Sequence, residues 1–155
     1  MGNPPRDESA ARRSNVFRRR PAVGSAPDAP ATRRTRYVER GHLVRAPRET
    51  SVADAEAFVE GAQGRTALLL YPRPSPEDVD ELAAAWHLHP LLVEDLHHAG
   101  QRPKLERYGD TLFLVVRSAW YVDAAEDVDF AEFHILVRPH AVAVFCQDGR
   151  WIDGH

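Results

Sequence analysis

From Trp86 to Arg117 the chain reads WHLHPLLVEDLHHAGQRPKLERYGDTLFLVVR, and this run leaves little choice of architecture. Proline is tolerated in the first turn of a helix but not inside one, so Pro90 after His89 marks a helix start. Gly100 ends that helix. Arg102 precedes Pro103 and is therefore pushed into extended backbone. KLERY then reads as a strand, with Leu105 on one face and Tyr108 on the other. Gly109-Asp110 suits a two-residue hairpin turn with glycine first. TLFLVV is apolar on both faces, which predicts a central, covered strand. Trp120 and Tyr121 extend it toward an edge. A helix, a corner and a hairpin in this order require the rest of the chain to supply the remaining strands.

It does so on both sides. RYVERGHLVRA (36–46) predicts a small hairpin about Arg40-Gly41. Ser51 caps a helix with Asp54 in its first turn. Val52, Ala55, Phe58 and Val59 share its apolar face, and Gly61 and Gly64 end it. TALLLY (66–71) is a short apolar run bounded by turns, hence a buried strand. Ser75, Pro76, Glu77 and Asp78 open a second helix, with Val79, Leu82, Ala83 and Trp86 facing inward. After an acidic loop at 123–127, residues 128–137 and 141–146 flank Arg138-Pro139-His140 as a further hairpin, with Phe133, Ile135 and Val137 on one face. The expected class is α/β (α+β): a mixed sheet with antiparallel hairpins packed against helices.

The charge is unevenly placed. Residues 1–40 hold ten Arg against Asp7, Glu8, Asp28 and Glu39, whereas residues 41–155 hold nine Arg and Lys104 against nineteen acids. Residues 1–35 are rich in Arg, Pro, Ala and Ser and poor in apolar side chains, so a disordered basic arm is expected there, ahead of a domain over 36–155. An Arg-rich arm suits RNA or anionic lipid, but a solvated tail is the preferred reading. The acidic body favours cations and argues against a nucleic-acid partner. Cys146 is the one cysteine, so no internal disulfide forms. The longest apolar runs, ALLLY, LFLVV and AVAVFC, fall far short of the ~20 residues that span a bilayer as a helix. No secretory leader is legible. The last residues, QDGRWIDGH, do not close the domain, so the chain reads as incomplete.

The helix after His89 carries the candidate chemistry. At ~100° per residue, Leu88, Leu92, Leu96 and Ala99 form one stripe with Leu91 at its edge. Glu94 points away from it, toward water, and Asp95 lies beside it. A carboxylate there needs a partner. Either Asp95 pairs with Arg102, Lys104 or a backbone N–H, or Glu94-Asp95 forms part of a hard-cation site, since Mg²⁺ keeps several waters and uses only one or two carboxylates. His87, His89, His97 and His98 crowd the same region. A zinc site needs three or four convergent ligands, and His97 and His98 diverge by ~100° on a helix, so surface or interface histidines are the preferred reading.

The ordered series His89-Pro90-Leu91, Glu94-Asp95, Gln101-Arg102-Pro103-Lys104, Glu106, Tyr108 and the Leu-Phe-Leu-Val strand after it resembles the signature of the CorA-type magnesium and cobalt transporter family, in its cytosolic N-terminal domain. The resemblance extends more weakly over residues 36–148. It implies a pentameric channel with two membrane helices and a Gly-Met-Asn tripeptide at the pore. Met1 is the only methionine, and the stalk and both spans have no counterpart, so transport is not expected of this chain alone. The resemblance also implies that Glu94 and Asp95 sit at regulatory divalent-cation sites between subunits. Binding of Mg²⁺ or Co²⁺ there is expected to be weak and not needed for folding. The implied partner is a further copy or a full-length CorA-like channel. The implied location is the cytoplasmic face of the cell membrane, reached only through missing helices, with the chain as given soluble.

A second reading is a stand-alone soluble interaction or regulatory module related to that domain. A third, a metal-dependent hydrolase built on the His/Asp cluster, lacks a nucleophile motif, a phosphate loop or an HExxH pattern. The chain is therefore not expected to be an enzyme.

Overall fold

Among the described residues, seven strands form one mixed sheet, and three helices lie against one of its faces. In the computed structural model, which describes residues 33–47 and 50–149, the elements run β1 (Arg34–Glu39), β2 (His42–Val44), α1 (Val52–Val59), β3 (Arg65–Tyr71), α2 (Pro76–Trp86), α3 (Pro90–His97), β4 (Lys104–Tyr108), β5 (Thr111–Val122), β6 (Asp127–Arg138) and β7 (Ala141–Cys146), with a single 3₁₀ turn at Asp123–Ala125. The strand order is β2-β1-β3-β7-β6-β5-β4. β3 and β7 run parallel, with Ala67 opposite Ala141 and Tyr71 opposite Phe145. The other five neighbouring pairs are antiparallel.

The turns follow their residues. Arg40 (φ 50°) and Gly41 (φ 81°) both take positive φ between β1 and β2, the requirement of a type I′ hairpin turn. Between Tyr108 and Thr111, Gly109 takes φ 61° and Asp110 does not, as expected of a glycine-first turn. The starts of α1 and α2 are capping boxes. The Ser51 hydroxyl accepts from the Asp54 N–H at 3.0 Å while the Asp54 carboxylate accepts from the Ser51 N–H at 2.9 Å. Ser75 and Asp78 repeat the exchange at 3.2 and 2.9 Å.

The expected basic arm over residues 1–35 lies outside the described residues except at its end. There Arg34 and Thr35 pair with Leu70 and Leu69, so the sheet begins two residues before the expected boundary at 36.

The core is one-sided. Val52 and Ala55 of α1, Val79, Leu82 and Trp86 of α2, and Leu92 and Leu96 of α3 close over Tyr37, Leu69, Tyr71, Phe113, Val115, Leu136 and Phe145. Tyr71 stacks on Phe145 with ring centres 4.4 Å apart, and Tyr37 on Phe58 at 3.9 Å. Removing a leucine side chain from water contributes ~1.5–3 kcal/mol, so Leu92 and Leu96, both buried, give α3 most of its hold on the sheet.

Two expectations need correction here. TLFLVV is not central: β5 lies next to the edge strand β4. Nor is it covered on both faces. Phe113 and Val115 are buried, whereas Leu112 and Leu114 are only half-buried and Val116 is exposed, because all three described helices pack on the Phe113 side. The helix after His89 also stops earlier than Gly100. It ends at His97, leaving Ala99 exposed and outside the apolar stripe. The cause is local: the His98 ring contacts the Glu94 carbonyl at 2.7 Å, and the Gln101 amide donates to the Asp95 and His98 carbonyls at 2.7 and 3.2 Å. Side chains thus satisfy the last carbonyls that another helical turn would have used.

Candidate functional site

α3 and β4 meet at a corner where most of the motif residues gather. His89 caps α3, its Nδ1 accepting from the Leu91 N–H at 3.2 Å, and its ring leans on Tyr108 at 5.4 Å. Pro90 fills the first helical position. Leu91, at the stripe's edge, is exposed. Gln101 ties the helix end as described, and Arg102 and Pro103 are exposed in the extended corner.

Asp95 faces this corner and finds a partner inside the chain. The Lys104 ammonium lies 2.6 Å from Asp95 Oδ2 and 3.2 Å from Glu106 Oε2, with the two contacts spanning helix and strand. The same ammonium sits 5.3 Å from the centre of the Phe113 ring. Tyr108 O–H donates to Glu106 at 3.0 Å. Burial tends to lower the Lys104 pKa, but the hydrogen bonds and charges of Asp95 and Glu106 outweigh it and hold the group above the ordinary lysine value. Burial and the neighbouring Glu106 likewise raise the Tyr108 phenol, keeping it protonated as a donor. Lys104 is thus the partner taken, from among the three that the sequence offered Asp95. The Asp95 and Lys104 side chains keep 27% and 28% of their exposure, so solvent reaches the pair. Glu94 points outward, and its side chain makes no hydrogen bond or ion pair among the described residues.

The four histidines do not converge. His89 caps, His97 Nε2 meets Asp80 of α2 at 3.0 Å, His98 binds the Glu94 carbonyl, and His87 ends α2 with φ 49°. Among the described residues no three His, Cys, Asp or Glu side chains gather as a metal-holding group.

The sequence reading missed a second cluster directly beneath. Glu132 and His134 of β6 share the buried face with Leu136. The Glu132 carboxylate accepts from Gly100 N–H at 2.9 Å, Gln101 N–H at 3.2 Å and His134 Nε2 at 3.0 Å, with Arg117 at 3.3 Å. Gln147 donates to the Leu96 carbonyl at 2.9 Å and to His134 Nδ1 at 3.0 Å, an assignment that leaves the imidazole proton on Nε2. Burial pushes the His134 imidazole below its ordinary value, against the opposing pull of Glu132, so the ring is neutral near pH 7. The cluster fastens the loop after α3 to the sheet and so fixes where Asp95 points. Its signal was the alternation in DVDFAEFHILVR, which puts Glu132 and His134 on the side of Leu136, where polar groups need partners.

A family model described as CorA-like Mg2+ transporter protein matches residues 69–149, which takes in this whole corner and the cluster under it. The chain belongs to the CorA-like family. Among solved structures, the full-length CmaX protein aligns with a TM-score of 0.58 and 17% identity over 73% of this chain and 34% of its own. The complete structure of the CorA magnesium transporter from Methanocaldococcus jannaschii gives 0.47 at 8% identity, over 72% and 31%, and the soluble domain of CorA from the same organism 0.46 at 11%, over 76% and 42%. The chain therefore spans about a third of the length of CmaX, and that likeness is one of fold. No curated protein matches. The mixed α/β architecture is the one expected of this family. No described helix is long and apolar enough to cross a membrane.

Proposed function

We propose that this domain is the divalent-cation-sensing part of a CorA-like magnesium transporter, non-enzymatic, acting with the membrane-spanning segments of a full-length channel at the cytoplasmic face. Asp95 is the carboxylate that meets the ion, Glu94 lies outside it on the same helix, and the contact forms where α3 faces a neighbouring copy. The observation that carries the reading is the family match over residues 69–149, which contains Asp95 on the partly exposed rim of α3, where its carboxylate is paired with Lys104. The donors fit the ion. Mg²⁺ prefers hard oxygen ligands and retains water, so one or two carboxylates suffice. A divalent ion between facing acids removes their repulsion and favours the closed contact, which is linkage between ion binding and assembly.

The test is a Mg²⁺ titration of the native chain and of Asp95→Asn, followed by calorimetry and by sedimentation. The native chain is expected to bind weakly and to associate as Mg²⁺ rises, and the variant to do neither. Equal behaviour of the two would remove Asp95 from the reading.

A further inference from the structure

We propose that the chain's own Arg-rich segment, residues 12–20, docks on the far end of the β5–β6 hairpin, where an apolar face is bordered by acids. The proposal is independent of the cation reading above and replaces the solvated tail expected of residues 1–35.

The hairpin outgrows the sheet. β4 pairs with β5 only as far as Val115, and β7 pairs with β6 only from Phe133 onward. Beyond those points the two strands pair with each other and with no other described strand. Ala119 faces Phe130 across this ribbon and Tyr121 faces Val128, so the four share one side of it. Nearer the middle of the sheet the same side carries Phe113 and Val115 under the helices. On the ribbon Tyr121, Val128 and Phe130 keep 58%, 45% and 50% of their exposure. Large apolar side chains exposed side by side mark a contact surface, unlike single ones scattered over a domain.

The border of the patch states the charge of its occupant. Residues 122–130 read VDAAEDVDF, four acids and no base, and Asp123, Glu126 and Asp127 are exposed. The complement is in the same chain. Residues 12–20 read RRSNVFRRR, five Arg and no acid around Val16 and Phe17, and Phe17 is the only aromatic residue before Tyr37. An apolar pair framed by guanidinium groups fits an apolar face framed by carboxylates, and arginine also stacks on aromatic rings such as those of Tyr121 and Phe130.

The topology brings the two together. Arg34, Leu70, Val144, Ile135 and Leu114 form one row across the sheet. β1 leads away from this row toward Glu39 and the turn at Arg40-Gly41, whereas the ribbon leads away from it in the opposite direction. The chain ahead of Arg34 therefore enters the sheet from the ribbon's end. Strand spacings of ~4.8 Å from β1 to β6 and a rise of ~3.4 Å per residue from Ile135 to Val128 put the patch roughly 28 Å from Arg34. The chain from Phe17 to Arg34 reaches up to ~56 Å when extended. A tether that spans the gap sets an effective concentration in the millimolar range, so a contact too weak to form between separate molecules forms within one. Docked there, the segment covers the apolar face and withholds its positive charge from anionic surfaces.

The experiment uses the full chain with a nitroxide on Ser14→Cys, Cys146 being buried, and reads backbone amide resonances. Signals from Ala119 to Phe130 should lose intensity relative to the reduced label, and those of the Arg40-Gly41 turn should not. Isotope-labelled chain without nitroxide, mixed with unlabelled chain that carries it, should show no loss. Arg18→Glu/Arg19→Glu/Arg20→Glu should abolish the loss, as should Glu126→Lys/Asp127→Lys, and combining the two sets should restore it. Phe130→Ser should weaken it at unchanged charge. The arginine substitutions lie outside the described fold, so they test the contact without altering the ribbon. Undiminished ribbon signals in the nitroxide-labelled chain overturn the proposal. So does an equal loss in the mixture, which makes a second copy the occupant. A charge swap that fails to restore the loss, with the ribbon's own resonances native, removes the complementarity that selects this segment and overturns it as well.

Discussion

Replacing Glu132 tests whether the buried cluster under α3 fixes the candidate site. The residue is 8% exposed, and its carboxylate collects two loop N–H groups, the His134 N–H and Arg117. A hydrogen bond to a charged group contributes ~1.5–3 kcal/mol, and each buried donor left bare costs ~1–3 kcal/mol. The contacts are not additive, and Arg117 is partly solvated, so Glu132→Ala should cost about 3–5 kcal/mol, in the range for breaking a buried pair. Glu132→Gln keeps one acceptor oxygen and the volume, and should cost about half as much. For a domain of this size the alanine variant should melt on the order of 10–20 °C lower. Urea unfolding followed by far-ultraviolet circular dichroism measures both. Hydrogen exchange at the Gly100 and Gln101 amides should accelerate before global unfolding in either variant, since these are the groups released. Two variants within 0.5 kcal/mol of native, with unchanged exchange at those amides, would refute the claim that Glu132 fastens the loop.

Leu92→Ala opens a cavity between α3 and the sheet and should cost about 2–5 kcal/mol by the same urea assay; a loss below 1 kcal/mol would mean that α3 is not held by its apolar face. The depressed pKa of His134 makes stability pH-dependent with a definite sign. The unfolded ring takes a proton more readily than the folded one, so this contribution is complete above the unfolded value of ~6.5 and is lost as pH falls through it. His134→Gln should therefore flatten the decline in stability between pH 7 and pH 5, and an unchanged slope would assign that decline to other groups.

How much was legible in the sequence depended on whether the deciding contact was local. The caps at Ser51 and Ser75, the turn at Gly109 and the start at Pro90 are set within four residues, and the structure has them as read. Asp95 was recognised as needing a partner, and Lys104, nine positions on, was among the candidates. Its second contact was not legible, because Glu106 reaches the ammonium only once β4 folds back along α3. The alternation in β6 places Glu132 on the buried face, but its partners were not legible for the same reason: its donors Gly100 and Gln101 lie some thirty positions upstream. The extent of TLFLVV coverage was misjudged because an apolar face shows what a strand can bury against, not that the described helices reach it.

The parallel contact between β3 and β7 joins two portions of the sheet that otherwise share no strand pairing: β2-β1-β3 on one side and β7-β6-β5-β4 on the other. Ala67 must wait for Ala141 to arrive. On the ribosome, the early strands would emerge well before the one that completes them, leaving Leu69 and Tyr71 without their neighbour until residues 141–146 are made. Closure over so long a stretch is slow by its loop entropy, so the seam is where folding should finish and where a chaperone would have most to protect.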